Sequence, residues 1–104
     1  MMVLMEAEEL QRKAAEIVDI LDKKFNVSRD AQLNFTQMCE EIGELAKDIN
    51  LPRLRGREPE RENLEGEFAD IFFLLSKQAE IAGIDLEKAV ENKIRILKKR
   101  HMLE

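Results

Sequence analysis

A chain of 104 residues is long enough for one hydrophobic core and too short for separate catalytic and regulatory domains, so a single domain over residues 1–104 is expected. Hydrophobic residues make up 44% and charged residues 38%, with only 4 Gly and 2 Pro, a balance that favours long amphipathic helices over sheet. The net charge of −5, with Lys and Arg interleaved among acids, argues against a nucleic-acid surface, because a polyanion needs clustered cations.

Met1 to Met5 is apolar but too short for a signal segment, and Glu6, Glu8 and Glu9 follow at once. No stretch is long enough to span a membrane. From about Leu4 to Lys24, Ala7, Leu10, Ala14, Ile17, Leu21 and Phe25 recur at steps of three and four, which predicts an amphipathic helix with that stripe inward. Asn26-Val27-Ser28 reads as a turn, with Ser28 the candidate N-cap of a second helix over about Arg29 to Ile49. Its core stripe is Phe35, Met38, Ile42, Leu45 and Ile49. Cys39 excludes an intrachain disulfide and suits a reducing cytoplasm. It reads as a small core residue rather than a reactive thiol, since the only His, His101, is too far along the chain to activate it.

Pro52, Gly56 and Pro59 break the pattern between Asn50 and Glu60 and predict a loop. Arg53, Arg55 and Arg57 in it read as solvated cations offset by Glu58, Glu60 and Glu62, with a mobile lid over an anionic ligand as the alternative. A third helix follows over about Arg61 to Ala82, with Leu64, Phe68, Ile71, Phe72, Leu75 and Ala79 inward. Phe73 and Leu74 widen that stripe, so the helix is either central or an oligomer interface. Gly83 as C-cap and Asp85 as N-cap set off a fourth helix over about Leu86 to Arg100. Short connections between long helices predict an all-α, antiparallel four-helix bundle.

Asp70 stands in the run Phe68-Ala69-Asp70-Ile71-Phe72-Phe73-Leu74-Leu75, which predicts a carboxylate shielded from water. Burying it unpaired costs several kcal/mol, so it calls for a cation, a metal or a proton. Glu67 lies three residues before it, and Glu41 and Glu44 repeat that spacing on the second helix, so each helix offers two carboxylates from one face. Any one of these glutamates alone reads as an ordinary surface residue. Together they suit Mg²⁺, which takes oxygen ligands and keeps room for water or phosphate, with Mn²⁺ also possible. The absence of Glu-x-x-His excludes a di-iron carboxylate site, and hard oxygen donors without His or Cys point away from zinc.

These residues resemble a known family. Glu-Glu-x-x-Glu at Glu40 to Glu44 and Glu-x-x-Asp at Glu67 to Asp70 are similar to the motifs of the MazG-type all-α nucleoside triphosphate pyrophosphohydrolases. The likeness runs from about Leu33 to Arg100 and takes in Glu-Glu-Ile-Gly-Glu-Leu-Ala and the Gly-Ile-Asp-Leu-Glu-Lys-Ala start of the fourth helix. It implies a Mg²⁺-dependent hydrolase, (d)NTP to (d)NMP and pyrophosphate, serving nucleotide-pool house-cleaning in the cytoplasm as a homodimer or homotetramer.

The metal ligands implied are Glu41, Glu44, Glu67 and Asp70. Glu40, beside Glu41 in the catalytic pair, would bind a further metal or orient the attacking water. Lys93 and Arg100, seven residues and about 10 Å apart on one helix face, resemble the phosphate binders. The resemblance departs at Leu97, where the family often carries Asn. Base selectivity is expected from the first two helices, near Asn34 and Gln37. Two alternatives are phosphoribosyl-ATP pyrophosphohydrolase and a non-catalytic helical interaction module.

Overall fold

The computed structural model describes residues 5–104, and Leu4, the expected start of the first helix, lies outside them. Among the described residues five helices follow in order: α1 (Ala7–Phe25), α2 (Ala31–Ile49), α3 (Leu51–Arg55), α4 (Arg61–Ile81) and α5 (Leu86–Arg100). The architecture is all-α, as the periodicity predicts. Among the described residues no helix is long and apolar enough to cross a membrane.

α4 is the central element, packed against both α1 and α2, while α5 returns along α1. Cross-links join it to both. Lys77 of α4 donates to Asp19 of α1 at 2.6 Å and, within its own helix, to Glu80 at 2.6 Å. Asn34 of α2, fully buried, donates to the Leu74 carbonyl at 2.9 Å and to Gln78 Oε1 at 2.6 Å, and Gln78 donates back to the Ala31 carbonyl at 3.3 Å. Residue numbers rise on α2 as they fall on α4, so these two helices run antiparallel. Asn34 therefore serves as a polar staple, with its oxygen and nitrogen all engaged.

Helix ends follow local chemistry. Asp85 accepts from the Lys88 amide at 3.1 Å and starts α5 at the residue expected. Gly83, at φ +70, takes the left-handed position after α4 that a Cβ would disfavour, and the Ile84 amide closes back on the Ala79 carbonyl at 2.8 Å. The cap of α2 is not Ser28 but Asp30, which accepts from the Leu33 amide at 2.8 Å. The helix begins two residues later than the pattern suggests, because Arg29 is drawn out of it toward Asp22. The Asn50–Glu60 segment is also not all loop. Pro52 sits in the first turn of α3, where its missing N–H costs nothing, and Gly56 at φ +66 ends that helix.

The buried core is narrow: Ala14, Ala15 and Val18 of α1, Met38 of α2 and Ala79 of α4. In α1, Ala14 of the expected stripe is buried together with Ala15 and Val18, whereas Leu10, Ile17, Leu21 and Phe25 are exposed, as are Phe35, Ile42 and Ile49 of α2. Ala14 and Ala15 are small enough to sit under the packing of α1 on α4. Cys39 is exposed and so is not a core residue. Asp70 is also exposed: the apolar run around it does not shield its carboxylate, which borders a cavity shared with residues of α1 and α2. The radius of gyration, 16.6 Å, exceeds the roughly 13 Å of a compact domain of this length.

Candidate active site

The antiparallel pairing of α2 and α4 brings the two acidic motifs opposite each other. Glu40, Glu41 and Asp70 line one cavity of about 270 Å³. Glu41 is half-buried at its edge and its carboxyl is pushed above the ordinary range, by burial first and then by the charges of Asp70, Glu44 and Glu40. Glu67 is pushed up as well, by burial, then by the Asp48 carboxyl beside it, then by Glu44 and Glu41. These mutual effects place Glu41, Glu44, Glu67 and Asp70 in one electrostatic cluster without a compensating cation among the causes.

Asp48 is a member that the sequence reading missed. It follows Glu44 by one helical turn, so continuation of the 41, 44 spacing is the signal that would have found it. Glu67 Oε1 is buried and has no hydrogen-bond partner among the described residues. An orphaned carboxylate oxygen in a set of all-oxygen donors is what a hard divalent cation satisfies, so the residues fit Mg²⁺ by chemistry. As the side chains stand, no three of them converge on one point among the described residues. Mutual repulsion opposes such convergence until positive charge is supplied.

Lys93 and Arg100 are exposed on α5 and neither lines this cavity. Because α5 leans on α1, the fold does not by itself bring these cations to the carboxylates. Arg55 and Arg57 border a different depression with Lys47, Leu51 and Leu54.

The cavity's remaining wall is mixed. Val18 and Leu21 of α1 and Phe73 and Leu74 of α4 supply apolar surface, and Asp22, Arg29 and Gln37 supply polar groups. Arg29 binds Asp22 through Nε at 2.6 Å and Nη2 at 2.9 Å, while Nη1 donates to Asn34 at 3.0 Å and Gln37 at 2.5 Å. Hydrogen bonding from Arg29 holds the Asp22 carboxyl below its ordinary value, against the opposing effect of burial.

The arrangement defines a class: helical proteins in which carboxylates of two antiparallel helices line one small, partly apolar cavity. Residues 29–102, from the turn before α2 to the end of α5, match the MazG nucleotide pyrophosphohydrolase domain, and the chain belongs to that family. No curated protein and no solved structure matches it. The α1 helix lies outside the matched segment, although it supplies part of the cavity wall.

Proposed function

We propose that this protein is a Mg²⁺-dependent nucleoside triphosphate pyrophosphohydrolase, converting (d)NTP and water to (d)NMP and pyrophosphate in nucleotide-pool house-cleaning. The observation that carries the reading is the opposition of Glu40 and Glu41 on α2 to Asp70 on α4 across one cavity, within the segment shared with the family. Glu41, Glu44, Glu67 and Asp70 would hold the ion. When bound, it supplies positive charge to the phosphates and acidity to a water. Glu40 lines the same cavity and is free to orient that water and accept its proton.

Lys93 and Arg100 are assigned to the phosphates. Their place on α5 requires that helix, from this chain or a second copy, to meet the α2–α4 face. A homodimer or homotetramer accounts for the large radius of gyration and for the exposed Phe68, Leu75, Val90 and Ile94 on α4 and α5. The single exposed thiol, Cys39, fits a reducing cytoplasm. The test is incubation of the pure protein with Mg²⁺ and a panel of NTPs and dNTPs. Monophosphate and pyrophosphate are the expected products, and no product from any member refutes the proposal.

A further inference from the structure

The cavity that carries the carboxylates also carries a group with a fixed hydrogen-bonding direction. Gln37 lines it one turn before Glu41 on α2, and Gln37 Oε1 accepts from Arg29 Nη1 at 2.5 Å. A guanidinium has only donors, so the amide oxygen of Gln37 must be the atom turned toward it. Arg29 is itself held, its Nε and Nη2 bound to Asp22 and its Nη1 shared with the buried Asn34. The side-chain oxygen of Gln37 is therefore committed, and Nε2, with two N–H groups, is left. Asn34 cannot play that part, since its nitrogen is spent on Leu74 and Gln78.

Around Gln37 the cavity offers Phe73 and Leu74 on α4 with Val18 and Leu21 on α1. Its volume, about 270 Å³, lies just under the ~300–1,000 Å³ of pockets that enclose drug-sized ligands. That suits a flat ring and its sugar, with the charged phosphates left to the carboxylate end. We infer that Gln37 reads the nucleobase of the substrate, donating from Nε2 to a ring-nitrogen or carbonyl acceptor of a base in contact with Phe73 and the aliphatic residues of α1.

The inference rests on the proposed pyrophosphohydrolase activity and adds its selectivity. The chemistry lies in the segment common to the family, whereas Val18, Leu21 and Asp22 lie outside it. Substrate choice in this chain thus depends on a wall that α1 adds.

The test is kcat/KM for the four dNTPs with Mg²⁺, measured for the wild type, Gln37→Met and Gln37→Glu. Met keeps the length and apolar contact but has no donor; Glu keeps an acceptor for Arg29 and also has no donor. Loss of one hydrogen bond predicts that the ratio between best and worst base falls about tenfold in both variants, mainly through KM for the preferred base. An unchanged ratio in both, or a wild type that does not discriminate among bases, overturns the inference and leaves the hydrolase reading intact. A wild type that releases no pyrophosphate from any dNTP overturns both. Should the variants fail to fold, the side-chain amide signals of Gln37 in the wild type are followed by NMR as each nucleoside monophosphate is added with Mg²⁺. A base-dependent shift supports the assignment, and its absence with every monophosphate overturns it.

Discussion

Arg29 grips Asp22 at two points across the turn between α1 and α2, with Nε to Oδ2 at 2.6 Å and Nη2 to Oδ1 at 2.9 Å. Their side chains are only 9% and 14% exposed, so water screens the pair little. Arg29 also supplies partners to Asn34 and Gln37, and hence ties the turn to the staple between α2 and α4. Arg29→Met should cost about 2–3 kcal/mol of stability, mostly from the uncompensated Asp22, seen as a fall of roughly 10–15 °C in melting temperature. A melting temperature within a degree or two of wild type would show that the pair contributes little.

The same pair sets an acid limb of stability. The carboxyl of Asp22 is lowered in the folded state, so the contribution is complete above the ordinary aspartate value. It is lost as pH falls through the lowered one. Glu41 and Glu67 are shifted the other way. Their ionisation therefore opposes folding of the metal-free protein, and acidification from neutrality through their raised values restores stability. Melting without divalent ions should thus show a maximum on the mildly acidic side of neutral, with a fall at lower pH. Glu41→Gln should flatten the rise, and Asp22→Asn should flatten the fall. A melting temperature that declines steadily from pH 7 downward in EDTA would contradict the raised carboxyls.

Much of this fold could be read from local signals. The α5 boundaries follow from Asp85 and from the cations of the last turn, and the α4–α5 turn from Gly83, because caps depend on a few adjacent residues. Inward faces were harder. In α1 the stripe of Leu10, Ile17 and Leu21 is as periodic as the one that is buried, and the approach of α4 to Ala14, Ala15 and Val18 decides between them. Asp70 looked shielded because its neighbours in sequence are apolar, yet burial depends on what faces a helix. The acidic motifs are legible as spacing, and Gln37 falls in the region expected to read the base; Asp22 and Arg29 join the cavity through a contact between α1 and the turn before α2 that leaves no motif.

Exposed aromatic and aliphatic side chains predict self-association. Phe68 is 60% exposed on α4, beside Glu67. In solution the wild type should have the mass of a dimer or tetramer by light scattering, and Phe68→Asp should weaken that assembly and lower the melting temperature. A wild type that is monomeric at micromolar concentration would remove the explanation for the large radius of gyration.

Lys93 and Arg100 are exposed, so their replacement should leave stability nearly unchanged. Lys93→Ala and Arg100→Ala should each raise KM for nucleoside triphosphates about tenfold, in line with loss of a charge-assisted phosphate contact. Unaltered KM in both would release α5 from a role in substrate binding.

The proposed reaction is metal-dependent scission between the α and β phosphates at the carboxylates of α2 and α4. The direct measurement follows a dNTP by phosphorus NMR with Mg²⁺, for the wild type and for Asp70→Asn, whose exposed position should leave the fold intact. Resonances of monophosphate and pyrophosphate from the wild type, silent in EDTA and reduced at least about 100-fold in Asp70→Asn, are the predicted result. Release of orthophosphate, or a variant with wild-type turnover, would contradict it.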